Sequence, residues 1–353
     1  MENLNFTPYR LALSAKKFDT AQSLGRVLDK NQDEDGPYFF VMNPYLLDKT
    51  KILSSKCIRR SSGKNQVFSE HRKNSHLRNR LIHTHEVVSI SVQMAEILGL
   101  NVYLTEAIAF GHDLGHTPFG HLGENMICSF SARRFRHEIM SVVIAQKIER
   151  DGGGLNLSYE VLEGILYHSR GKNGLQIDPT LPLEYSVVML ADKIAYTFAD
   201  LNDAISGAYF EEKDLPKALF SLGKDQRERC LSCIFSLVKE SSEKGIISFS
   251  DSDAAQKMEE IRQWSFKNLY EKIDRTADRK VLEVAHRFLL HNFSNPLLIF
   301  ALLTDGEAIA IADLANGKIK EEPIFMDFLR KVDNYQVDIF SPDLVKENFK
   351  KVI

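Results

Sequence analysis

Apolar positions recur along most of the chain at the three-to-four residue interval of a helix with one buried face. From Leu77 to Leu98, the residues Leu81, Val87, Val88, Met94, Ala95 and Leu98 supply a buried stripe, and Gly99 is placed to stop it. A second helix is expected from Thr105 as N-cap through Phe110 into His112 and Asp113, after which Thr117-Pro118 and Gly120 break the pattern. Further helices are expected over 134–150, ended by Gly152-Gly153-Gly154, and from Ser158 as cap to His168. After Pro179 and Pro182 a long helix is predicted from Glu184 to about Ile205, closed by Gly207. Helical segments then continue to the C-terminus, interrupted at 251–253, 294–296 and 341–342. The exception is the opening stretch, where an acidic run before Gly36-Pro37 suggests a turn and Tyr38–Val41 a short strand. The pattern predicts an all-α fold without repeats.

Composition narrows this little. With 353 residues, 44% of them hydrophobic, the chain can build one large core or two ordinary ones. Its 45 basic and 48 acidic residues leave no positive excess to indicate nucleic acid or an anionic membrane. No leader-like opening is evident, and no apolar run approaches the roughly 18 residues of a membrane span, so a cytoplasmic protein is expected. Cys230 and Cys233 form a CxxC inside an amphipathic helical pattern, with no second pair to complete a zinc site. They are expected to be small helix-face residues.

The chemistry concentrates in Gly111–Glu124, which packs His112, His116, His121, Asp113 and Glu124 between glycines and a proline. That mixture suits a metal site with an acid/base group beside it. His121 and Glu124 stand i, i+3 after the Gly120 break, the spacing of a carboxylate-oriented imidazole. Asp192 lies among Val187, Val188, Met189, Leu190, Ala191, Ile194 and Ala195, where a carboxylate needs a partner. A metal and an ordinary ion pair, with Lys193 or an arginine, both satisfy that need. Asp192, Tyr196 and Asp200 fall along one helix face, whereas His83 and His85 point to different sides, so only one of those two is a candidate ligand.

Four segments in order, RLIHTHEV, HDLGHTPFGHLGE, GLNLSYEVLEGIL and ADKIAYTFADLNDA, preceded by KILSSKCIRRSSGKNQVF, resemble the HD-domain phosphohydrolases and, among them, the dGTPase-like deoxynucleoside triphosphate triphosphohydrolases. The resemblance covers about 47–210 well and KNLYEKI to HNFSNP loosely. It implies an HD-domain helical fold with additional C-terminal helices: an unassigned extension over 1–46, an HD core over 47–210 and a mainly helical region over 211–353. It implies His83, His112, Asp113 and Asp192 as ligands of a divalent ion, Mn2+, Mg2+ or another transition metal. His121 and Glu124 would carry the proton chemistry, with His116 and His137 on the phosphate side. Arg80 would meet the α-phosphate, Lys193 and Tyr196 the distal phosphates, and Gln66 and Asp200 the sugar 3′-hydroxyl. The bland alternatives are a surface salt bridge for Arg80, a polar loop residue for Gln66, a solvated helix position for Asp200 and a core or cap histidine for His168.

The implied reaction is hydrolysis of a deoxynucleoside triphosphate to deoxynucleoside and inorganic triphosphate. Such nucleotides would be substrate and candidate allosteric activator of a homo-oligomer, with no membrane or nucleic-acid partner indicated. An HD enzyme acting on monophosphates or cyclic nucleotides, and a nucleotide sensor without turnover, are the alternatives. Two departures stand out: Asn79 replaces the family's usual threonine or serine, and the C-terminal third offers only ALLTDGEAIAIAD as a faint match to the residues completing the triphosphate and base pockets.

Overall fold

The computed structural model of the chain describes residues 9–26, 41–69, 74–169 and 177–349. Among the described residues there is no β-strand, only two isolated antiparallel bridges, Arg26 with Ser158 and Asn65 with Asn79. The strand expected at Tyr38–Val41 falls, up to Phe40, outside them. The fold is all-α, as the periodicity predicts. In chain order the helices are α1 (Pro44–Ser54), α2 (Lys56–Arg60), α3 (Arg80–Leu98), α4 (Val102–Gly111), α5 (His121–Ser131), α6 (His137–Lys147), α7 (Tyr159–Tyr167) and α8 (Leu183–Ser206). They continue with α9 (Lys217–Leu222), α10 (Gln226–Lys244), α11 (Asp253–Ser265), α12 (Thr276–Asn292), α13 (Pro296–Leu302), α14 (Asp305–Ala315) and α15 (Met326–Val332). Among the described residues no helix is long and apolar enough to cross a membrane.

The chain divides into two compact units, each drawn from three stretches. The first comprises Met1–Ser23, His83–Ala109 and Tyr167–Ile273. Its centre is α8, where Val187, Val188, Met189, Leu190, Ala191, Ile194, Ala195, Phe198 and Leu201 are all fully buried. A helix apolar on nearly every side must be enclosed, and α10 and α11 pack against it. The buried Glu184 carboxylate at its start accepts the Phe18 and Asn101 N–H groups, each at 2.9 Å. Helix α4 begins three residues before the predicted Thr105 cap, because the Asn101 side chain accepts the Leu104 N–H at 3.1 Å and Thr105 is buried within the first turn. After α10 the chain turns at Gly245, in the left-handed region at φ 67°. The Glu240 carboxylate pins that loop by accepting the Ser250, Asp251 and Ser252 N–H groups, the Ser248 hydroxyl and Lys244. Helix α11 runs into a π-helical turn over Phe266–Tyr270, closed by the Glu271 N–H on the Phe266 carbonyl at 3.2 Å.

The second unit comprises Leu24–Ile82, Phe110–Leu166 and Asp274–Ile353. In it α12 packs on α14, and α13 on α5. Asn79 caps α3 by accepting the Ile82 N–H at 3.0 Å, so this departure from the family keeps a cap-forming side chain and moves the helix start from Leu77 to Arg80. Helix α6 also starts later than predicted, at His137, because α5 ends in Ala132 at φ 54° and the chain first turns through a Phe135 N–H bond to Cys128 Sγ. The segment between α4 and α5 is fixed by contact with α6. Gly115 N–H donates to Ser141 Oγ at 2.8 Å, that hydroxyl donates to the His112 carbonyl at 2.9 Å, and a Cβ on Gly115 would collide with the backbone at Ser141 and His137. Phe119 at φ 55° and Gly120 at φ 58° then turn the chain into α5.

Candidate metal and phosphate centre

In the second unit the end of α4, the following turn and the starts of α5 and α6 bring Asp113, His116, His121, Glu124 and His137 together. One carboxylate oxygen is the focus: Glu124 Oε1 lies 2.9 Å from His116 Nδ1, 3.3 Å from His121 Nδ1 and 3.1 Å from His137 Nδ1. The His116 approach is close but not aligned as a hydrogen bond. By spacing alone, His116, His121, Glu124 and His137 could themselves hold a metal ion, with ligand atoms within 4.8 Å of one another. His116 and His137 stack with ring centroids 3.8 Å apart. His121 is the outlier in exposure, its side chain 74% accessible where the others are buried.

Stacking two imidazoles is stable when only one is charged, and the surroundings arrange that. Burial, then Arg80 and His137, push His116 down to about 4 against the pull of Asp113. Burial would lower His137 too, but the Glu124 carboxylate, with help from Glu138 and Asp113, raises it to about 9. Burial works to raise Glu124, yet His137 and His121 hold its carboxyl well below the usual range. Asp113 is likewise held low, burial being outweighed by His112, His116 and Arg80.

Arg80 donates to Asp113 Oδ2 at 2.7 Å and is 3% exposed, so it is not a surface salt-bridge residue. The Asn65–Asn79 bridge sets Gln66 beside the start of α3, with Arg80 N–H on the Lys64 carbonyl at 3.0 Å and Gln66 N–H on the Arg78 carbonyl at 3.4 Å. Gln66 Oε1 is buried and accepts no hydrogen bond among the described residues.

In the first unit, His83 Nε2 lies 3.0 Å from Asp192 Oδ1, whose side chain is 20% exposed rather than fully buried; His85 is exposed. Further along the same face of α8, Tyr196 OH accepts from Arg262 at 3.2 Å and Asp200 Oδ2 accepts from Tyr270 OH at 2.6 Å. Asp200 is 3% exposed, so it is not a solvated position, and Lys193 is 5% exposed. Burial, opposed by Arg262 and aided by Asp192 and Asp200, raises Tyr196 to about 12. His168 is buried.

Of the residues expected as ligands, His83 and Asp192 belong to one unit, and His112 and Asp113, 3.5 Å apart, to the other. Each half pairs an imidazole with a carboxylate, a donor chemistry that fits a divalent transition metal or magnesium.

An HD domain model matches residues 80–197, a range that contains Arg80, His83, His112, Asp113, His116, His121, Glu124, His137, Asp192, Lys193 and Tyr196 and leaves out Gln66 and Asp200. A protein from Clostridium tetani named deoxyguanosinetriphosphate triphosphohydrolase-like is 32% identical over 319 residues, covering 87% of this chain and 89% of its own length. The chain belongs to this dGTPase-like family of HD-domain proteins. Like-named relatives from Caldanaerobacter subterraneus subsp. tengcongensis and Clostridium perfringens are 35% and 38% identical, over 88% and 76% of this chain and 89% and 77% of their own. As a member of the dGTPase-like family the chain is a phosphohydrolase.

Sequence reasoning missed Arg262 and Tyr270. They lie in and beside KNLYEKI, where resemblance to the family is loose, and only the packing of α11 on α8 reveals what they face. Lys64, in the KNQVF segment, was missed as well; its ammonium bonds the His116 carbonyl from within the protein.

Proposed function

We propose that the chain hydrolyses deoxynucleoside triphosphates to deoxynucleoside and inorganic triphosphate, acting as a cytoplasmic homo-oligomer with a deoxynucleotide as activator as well as substrate. The observation that carries it is the convergence of three imidazoles on Glu124, next to the Arg80–Asp113 pair. A simple structural ion pair would need one partner. His83, His112, Asp113 and Asp192 would hold the divalent ion, Mn2+ or Mg2+ among the candidates. When bound, such an ion supplies Lewis acidity toward a phosphoryl oxygen.

The remaining work falls to side chains. Water attacks the α-phosphorus, the bond from phosphorus to the 5′-oxygen breaks, and that oxygen leaves with a proton. His121, exposed and oriented by Glu124, is suited to deliver it. Cationic His137 and Arg80 favour phosphate charge as it builds, while neutral His116 stacks on His137 without repelling it. Lys193, Tyr196 and Arg262 would meet the distal phosphates. Gln66, whose buried oxygen accepts no hydrogen bond among the described residues, and Asp200 would take the 3′-hydroxyl.

Incubation of purified protein with each dNTP, singly and mixed, with Mn2+ or Mg2+, followed by product analysis, tests this. Inorganic triphosphate is the expected product. Orthophosphate alone would favour an HD enzyme of another substrate class, and nucleotide binding without any turnover would favour a sensor.

A further inference from the structure

Given the phosphohydrolase reading above, we infer that Asp305 is a positioning residue that fixes the shape of the loop carrying His116 and His121 together with the segment carrying Gln66. Asp305 opens α14, far along the chain from both, and is 0% exposed. Its carboxylate is a staple: Oδ1 accepts the Phe119 N–H at 2.7 Å and Oδ2 accepts the Asn65 N–H at 2.8 Å.

Both bonds land where the backbone has a reason to drift. Phe119 holds φ 55°, a left-handed conformation that a bulky residue rarely adopts and that persists only when its surroundings over-determine it. Two residues on is His121. Asn65 is bridged to Asn79 and lies between Lys64, whose ammonium bonds the His116 carbonyl, and Gln66, the proposed sugar contact. Lys64 and Asp305 therefore hold the two ends of the His116–Phe119 turn, Lys64 at the His116 carbonyl and Asp305 at the Phe119 N–H.

The end of α14 is itself held firmly. Thr304 and Glu307 form a reciprocal cap, Arg60 bonds Glu307 at 3.1 and 2.5 Å, and Thr304 packs so closely on Gly63 that an added Cβ would come within 3.2 Å. A carboxylate on so rigid a support can transmit its geometry to the loop. The role is distinct from helix docking, which Glu307 performs without touching either segment of the site.

The test is Asp305→Asn, which keeps the shape but turns an amide NH2 against one of the two backbone N–H groups. Turnover is expected to fall about 10- to 100-fold, the scale of a 1 Å misplacement, with KM raised and bound metal unchanged. Hydrogen exchange measured by mass spectrometry should accelerate at least about 10-fold across Gly115–Glu124 and around Asn65. Glu307→Gln, which loosens the same helix end, should lower the melting temperature yet leave kcat within about twofold. Unchanged exchange in Asp305→Asn, turnover within twofold of wild type, or an equal loss in Glu307→Gln would each overturn the inference. If Asp305→Asn does not fold, residue-resolved exchange in the wild-type protein decides: strong protection of the Phe119 and Asn65 amides is expected, and free exchange of either sinks the staple. A wild-type protein that hydrolyses no dNTP would remove the functional reading while leaving the exchange arm intact.

Discussion

Replacing Glu124 by glutamine removes one charge and almost no volume, at the atom on which the centre converges. Glu124 Oε1 stands 3.1 Å from cationic His137, and at an effective dielectric of about 20 that attraction is on the order of 5 kcal/mol. Desolvation offsets part of it; breaking a buried pair by removing one partner typically costs about 3–5 kcal/mol. His137 should respond first, its pKa falling from about 9 because the carboxylate that raised it is gone while burial still lowers it. His121 should respond in rate. Its exposed ring is oriented by this carboxylate at 3.3 Å, so kcat should drop about 10²- to 10³-fold, inside the range for acid/base catalysis. Bound metal, measured by mass spectrometry, should not change, since Glu124 is outside the inferred ligand set. The two residues act as a unit, so Glu124→Gln with His121→Ala should be little slower than His121→Ala alone. Triphosphate release followed by ion chromatography reads all three variants. A kcat within threefold of wild type, or fully additive losses in the double variant, would refute the assignment.

Asp113→Ala should lose metal and turnover together, and an active variant would remove Asp113 from the ligand set. Gly115→Ala should cost at least about 2–3 kcal/mol, or fold poorly, because its Cβ meets backbone rather than a movable side chain; an unchanged thermal melt would contradict the packing described. Arg262→Ala should raise KM for the triphosphate about tenfold with little change in kcat, as loss of uniform binding does; a kcat effect without a KM effect would argue against distal-phosphate contact. Burial works to raise the Glu240 pKa, but its ring of donors depresses it below the unfolded value near 4.3. It therefore contributes stability that is complete above that value and lost as pH falls through the lower folded value. Glu240→Gln should be about 2 kcal/mol less stable at pH 7, the gap closing under acid; a gap independent of pH would mean the loop is held otherwise.

The helical architecture was legible because its signal is repetitive: α8 carries an unbroken apolar run from Val187 to Ala191 and further apolar positions at Ile194, Ala195, Phe198 and Leu201, so its burial follows from sequence. Helix starts were less so, since Asn79, Asn101 and Thr105 are all competent caps and local preference does not choose among them. The glycine-punctuated motif pointed to the candidate site, and the i, i+3 spacing of His121 and Glu124 corresponds to a direct contact. What spacing could not show was that His116 and His137 share the same carboxylate, a meeting that depends on Gly115 letting the turn lie against α6. Contacts made across long stretches, Asp305 to Phe119 or Tyr270 to Asp200, leave no local trace and emerge only from packing.

The π-helical turn at Phe266–Tyr270 bears on how this chain can vary in length. Each helical residue advances the face by about 100°, and a wider turn accommodates one extra residue without disturbing the hydrogen-bonded ladder on either side. Tyr270 meets Asp200 in that register. A relative lacking a residue here would present a different side chain to the same carboxylate, so gain or loss of a single codon, with no substitution anywhere, is enough to change what sits over the inferred sugar-binding group.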